Sequence, residues 1–101
     1  MSEPPADAET FLAVTDSIAD LQPDLSTLEA GLLAGLHLKL AADSRSFARV
    51  FGVEHALVLR AVETLSGKAE LLAITERNQR TQRTRYEATP AGLAILDHLH
   101  G

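Results

Sequence analysis

The chain predicts a mostly α-helical domain carrying one small β-hairpin, on three observations. Apolar residues recur at helical spacing between residues 8 and 66, the period changes to two between 70 and 88, and a helical stripe returns from 89 to 99. A length of 101 residues suits a single modest core, and 46% hydrophobic with 23% charged residues is the balance of an ordinary folded domain.

Residues 1–7 read as a disordered leader, because Pro4 and Pro5 stand among small and acidic residues with nothing to bury. Over 8–22, Phe11, Val14, Ile18 and Leu21 draw one narrow helical stripe, and Pro23 ends it. Over 26–42, Ser26 and Glu29 have the spacing of a capping box, and Leu28, Leu32, Leu36 and Leu40 recur on one face of a core helix. Ser44 is placed to cap a short helix through Phe51, Gly52 supplies a turn, and a further helix runs from about Glu54 to Ser66 with Gly67 as its stop. "ELLAITE" (70–76) and "RTRYEAT" (83–89) read as two strands joined by the polar tip "RNQRTQ". Thr89 then caps, Pro90 takes the first helical position, and Leu93, Leu96 and Leu99 stripe a last helix.

Several chemistries are excluded or disfavoured. There is no cysteine for a disulfide or a thiolate metal site, and no apolar run approaches the ~20 residues of a membrane span. A cytosolic location is the default expectation. His98 and His100 are too sparsely surrounded by acidic ligands to predict a metal site, and no nucleophile triad or phosphate-binding glycine loop is present, so neither an enzyme nor a cofactor is expected. Four aromatic residues are too few for a base-stacking platform on single strands. The net charge of −5 is unevenly spread: residues 1–30 hold seven acids and no base, whereas residues 31–87 hold nine Lys or Arg against six acids. A basic middle behind an acidic start is compatible with nucleic acid, although the total alone argues against it.

The segment from Ser44 to Ala61, "SRSFARVFGVEHALVLRA", meets the demands of a helix-turn-helix. Gly52 sits at the turn, the small Ala48 at the helix crossing, and Phe47, Phe51, Val53, Val58 and Ala61 on the buried offsets. With the hairpin that follows, the order is that of a winged helix-turn-helix with an extra N-terminal helix and a C-terminal helix, forming one domain over 8–101. Residues 26–99, about three-quarters of the chain, resemble the MarR-type bacterial transcription regulators; "FARVFGV", "TLSG" and "RTRYEATPAGLAIL" carry the resemblance. It implies a second helix in the major groove, a wing at the adjacent minor groove and terminal helices that form a homodimer.

On that reading double-stranded DNA is the partner. The outward face of the second helix presents His55, Ala56, Leu59 and Arg60 as base-reading residues: Arg60 matches guanine N7 and O6, and Ala56 or Leu59 a thymine methyl. Ser44, Arg45 and Arg49 are the expected phosphate contacts, and Arg77, Arg80, Arg83 and Arg85 the cations of the wing. Phe11, Val14, Ile18, Leu21, Leu93, Leu96 and Leu99 exceed what one small core obviously absorbs, so a homodimer interface is expected there. The rival expectation is a winged helix used for protein contact, with Ala56, Leu57 and Leu59 as its docking patch.

Overall fold

The computed structural model describes residues 8–100, with the side chain of His100 outside the description; the expected leader, residues 1–7, also lies outside it. Within that span the order is α1 (Ala8–Leu21), α2 (Thr27–His37), α3 (Ser44–Phe51), α4 (His55–Ser66), β1 (Leu72–Arg77), β2 (Thr84–Ala88) and α5 (Pro90–Asp97), followed by a 3₁₀ turn, His98–His100. The fold is therefore mostly helical with one two-stranded antiparallel sheet. None of the described helices is long and apolar enough to cross a membrane.

The helix starts follow local chemistry. Ser26 Oγ accepts the Glu29 amide at 3.1 Å and Glu29 Oε1 accepts the Ser26 amide at 2.9 Å, closing the expected capping box of α2. Thr89 Oγ1 accepts the Gly92 amide at 3.1 Å with Pro90 at the start of α5. α3 differs from expectation, because its cap is Asp43 and not Ser44. Asp43 Oδ1 accepts the Ser46 amide at 2.8 Å, and Oδ2 accepts the Ser46 hydroxyl at 2.9 Å. The carboxylate can do this because the chain is extended at Asp43, with φ −149° and ψ 161°.

α2 also stops earlier than its leucine repeat suggests. Lys39 turns into the left-handed region at φ 62°, and the Leu40 amide bonds back to the Gly35 carbonyl at 2.8 Å. The spacing of Leu36 and Leu40 continues through a chain that has already left the helix, so periodicity alone overruns the end. α4 stops at Ser66 with Gly67 as its C-cap, as expected; Glu70 then turns at φ 58°, and β1 begins two residues later than "ELLAITE". Gly52 takes the left-handed turn as expected, at φ 66°.

The core surrounds α2, whose residues from Ala30 to Gly35 are all buried between α1 and α4. Gly31 and Gly35 are one helical turn apart, and their missing side chains admit aromatic rings. A Cβ at Gly31 would lie 3.3 Å from Phe11 Cζ, and one at Gly35 3.3 Å from Phe47 Cε2. Phe51 completes the cluster, 4.3 Å from the Phe11 ring and 4.5 Å from the Phe47 ring. This cluster fastens α1 to the chain's own domain. Ile18, Leu32, Leu33, Val58, Val62 and Leu65 complete the helical core, and Leu72, Tyr86 and Leu96 extend it under the sheet and α5.

β1 and β2 pair from Leu72 opposite Ala88 to Arg77 opposite Thr84, with a bulge between Ile74 and Glu76. Along β2, Thr84 and Tyr86 point inward and Arg85 and Glu87 outward, as the period of two predicts. The stretch before α3 adds a third rung: Asp43 bridges Arg85, and the Tyr86 amide donates to the Ala42 carbonyl at 3.2 Å.

Two stability outcomes follow. Gly92 leaves no room for a side chain, since a Cβ would run into the Leu71 carbonyl oxygen. Gly92→Ala is expected to lower unfolding free energy by about 1–3 kcal/mol in urea denaturation. Gln82, at φ 64° in the hairpin tip, is strained in the opposite sense; Gln82→Gly is expected to leave stability unchanged or to raise it by up to about 1 kcal/mol in the same assay.

Candidate nucleic-acid interface

The α3–turn–α4 unit has its expected inside. Phe47, Val58 and Ala61 are buried, and Phe51 and Val53 half-buried against the core. On its outside, Glu54, Ala56, Leu57, Arg60 and Glu63 are exposed, while His55 and Leu59 are half-buried. Arg45 and Arg49, one turn apart on α3, are exposed as well.

The hairpin tip is a built loop that folds against α3. Asn78 Oδ1 accepts the amides of Arg80 and Thr81 at 2.9 and 3.1 Å, and the Gln82 amide reaches the Asn78 carbonyl at 2.7 Å. From α3, Arg45 Nε donates to the Thr81 carbonyl at 3.2 Å. The tip and the amino end of α3 are thereby brought together, with Arg80 next to the contact.

Two expected site residues have other roles. Ser44, expected as a phosphate seat, is 0% exposed. Its Oγ accepts the Thr84 amide at 3.0 Å and lies 2.8 Å from His55 Nε2. Burial and two partners remove it from the surface. The same contact corrects His55 as a base-reading residue, because one of its ring nitrogens faces into the protein. Burial lowers the His55 pKa from its ordinary 6.5, the Arg45 charge lowers it further, and Asp43 opposes both. The ring is thus neutral near pH 7 and adds no cation to this face.

Three of the four hairpin arginines meet carboxylates of the same chain. Arg77 Nη2 lies 2.8 Å from Glu63 Oε2, Arg83 Nε 3.5 Å from Asp43 Oδ1, and Arg85 Nε 3.5 Å from Glu76 Oε1. The Arg77 and Arg85 pairs are half-exposed or more on both sides, where an ion pair contributes only about 0–1 kcal/mol. Such pairs order the arginines more than they neutralise them against a stronger anion. Asp43 is different, with its side chain only 10% exposed. Burial alone would raise its pKa, but the Ser46 amide and hydroxyl and the Arg83 charge prevail and hold it below 3.8. Arg45, Arg49, Arg60 and Arg80 carry no ion pair among the described residues.

The expected dimer residues divide. Ile18 and Leu96 lie in the chain's own core, Phe11 stacks on Phe51, and Val14 and Leu99 are half-buried against the core. Of the seven, only Leu21 and Leu93 are exposed, at 40% and 51%; Leu12, off the stripe, is 58% exposed. Apart from Leu21, the narrow stripe of α1 is therefore satisfied within one chain. An open apolar groove of about 440 Å³ beside the aromatic cluster, lined by Phe11, Leu12, Leu28, Phe51 and Val53 among others, bears no charged side chain. Among the described residues no group of three or more His, Asp or Glu is placed to hold a metal ion. His98 Nδ1 donates to the Ala94 carbonyl of its own helix at 2.9 Å.

Sequence reasoning missed Asp43, which caps α3, bridges Arg85 and pairs with Arg83. The signal was present in "DSRS", an aspartate three residues before a serine, but Ser44 offered an equally good local cap. No family model, no curated protein and no solved structure matches the chain.

Because the Asp43 carboxyl is more acidic in the folded chain than in the unfolded one, its stabilisation is complete above 3.8 and is lost as pH falls through the folded value. Asp43→Ala is expected to cost about 1–2 kcal/mol at pH 6. The gap between variant and parent should close on acidification below 3.8, as read by chemical denaturation across pH.

Proposed function

We propose that the chain is a winged helix-turn-helix regulator of the MarR-like kind, binding duplex DNA with α4 in the major groove and the β1–β2 hairpin as its wing. The observation that carries this reading is the seating of the hairpin tip on α3, through Arg45 to the Thr81 carbonyl and Arg83 to Asp43. It gathers cations from both elements beside the exposed face of α4, while Glu9, Asp16 and Asp20 belong to α1. Arg60, with Ala56 and Leu59, addresses base edges, and Arg45, Arg49 and Arg80 take phosphates. Arg77, Arg83 and Arg85 exchange a carboxylate for a phosphate as the wing meets the backbone. Self-association through the exposed leucines of α1 and α5, Leu12, Leu21 and Leu93, would pair two α4 helices for a palindromic site.

A second reading is favoured by the three intrachain ion pairs and by the exposed apolar side chains Val50 and Leu57 beside the turn. On it, the α3–α4 face docks a protein and DNA binding is absent.

Fluorescence anisotropy with random-sequence duplex separates the two. Phosphate contacts from Arg45, Arg49, Arg80, Arg77, Arg83 and Arg85 give a Kd of about 10⁻⁴–10⁻⁶ M for non-specific duplex and a log–log salt slope of about −5 per chain. Arg49→Ala with Arg80→Ala should reduce that slope by about 2. Absence of binding at low salt would overturn the DNA reading.

A further inference from the structure

We propose that His55 is a positioning residue: its neutral ring, acting through Ser44, locks the amino end of α4 to the start of β2, and one added proton opens the lock. The consequence for DNA rests on the function proposed above; the lock itself does not.

Ser44 Oγ has one proton and two lone pairs. One lone pair accepts the Thr84 amide at 3.0 Å, across forty residues of chain. The hydroxyl proton is then directed to His55 Nε2, 2.8 Å away, which accepts it only when the ring carries its proton on Nδ1. A protonated ring bears hydrogen on both nitrogens. Its Nε2–H would take the second lone pair of Ser44 and leave the hydroxyl proton without an acceptor at a site that is 0% exposed. Turning the hydroxyl away frees the Thr84 amide in a residue only 2% exposed. Either outcome leaves a buried donor unsatisfied, which is unfavourable.

The surrounding charges act in the same direction. Arg45, on α3, repels an imidazolium. Asp43, ahead of α3, attracts one, but Arg83 from the hairpin already pairs with it. On its own element His55 is the first helical residue of α4, where the helix dipole disfavours a cation, and the neighbouring Glu54 is exposed and makes no side-chain cap bond. The folded chain therefore binds this proton less readily than the unfolded one. Stability is complete above 6.5 and declines as pH falls from there through the folded value.

The test uses the full chain and nitrogen-resolved NMR of the imidazole, with the Thr84 amide as the second reporter. At pH 7.5 the ring should be the Nδ1–H tautomer, and on acidification His55 and the Thr84 amide should move together with a midpoint below 6.5. A midpoint at or above that value, the other tautomer, or a Thr84 amide that ignores the titration overturns the lock. His55→Gln keeps a neutral acceptor and should abolish the pH response of Thr84; Ser44→Ala should return the His55 midpoint toward its ordinary value. Random duplex at pH 7.5 and 5.5 then tests the consequence. The parent chain should lose affinity several-fold on acidification relative to His55→Gln. A relative gain would mark an imidazolium that contacts phosphate and would sink the proposal. Coupled titration without duplex binding at either pH supports the lock and removes the DNA reading, whereas duplex binding without coupling does the reverse.

Discussion

The buried hydroxyl of Ser44 is the point on which the layout of the cationic face depends. A two-stranded hairpin is at best marginally stable alone in water, so β1 and β2 need a surface to lie on. That surface is the turn before α3, and three bonds attach it to β2: the Thr84 amide to Ser44, the Tyr86 amide to the Ala42 carbonyl, and Arg83 to Asp43. Two of these are backbone donors that would otherwise be buried unpaired. They set where the hairpin points, and hence where Arg77, Arg80, Arg83 and Arg85 stand relative to α3 and α4.

Asp43 shows how one side chain can serve several levels at once. It satisfies the first turn of α3, its backbone continues the ladder onto β2, and its charge meets Arg83. A carboxylate inside a cationic region would weaken a pure charge argument for anion binding. Here it orders the region, and only one of the seven arginines is its partner. The other two pairs, Arg77 with Glu63 and Arg85 with Glu76, are exposed enough for solvent and salt to compete.

The glycines of α2 let aromatic rings from α1 and α3 pack close to its backbone. Side chains at positions 31 and 35 would stand 3.3 Å from the rings of Phe11 and Phe47, so each ring would have to give by a few tenths of an ångström. Because those rings close on α2 and Phe51, the stripe of α1 is used inside one chain. What remains exposed of those helices' large apolar side chains is Leu12, Leu21 and Leu93, with Leu12 lining the apolar groove beside the aromatic cluster.

Much of the fold was legible because its signals are local. The Ser26–Glu29 box, the left-handed Gly52, the Thr89–Pro90 start and the alternation along β2 each involve neighbours within a few residues, whose geometry the backbone sets directly. The boundaries that differ lie at Lys39, where α2 has already ended, and at Glu70, after which β1 starts late; both are non-glycine residues at positive φ, which the local sequence does not signal. The candidate face was only half legible. Residue types and helical phase determined which side chains of α3 and α4 point outward. Only the tertiary structure decided that Ser44 is buried, that His55 turns a nitrogen inward, and that three arginines meet carboxylates. Those outcomes depend on which surfaces touch across tens of residues, and no periodicity within a segment encodes that.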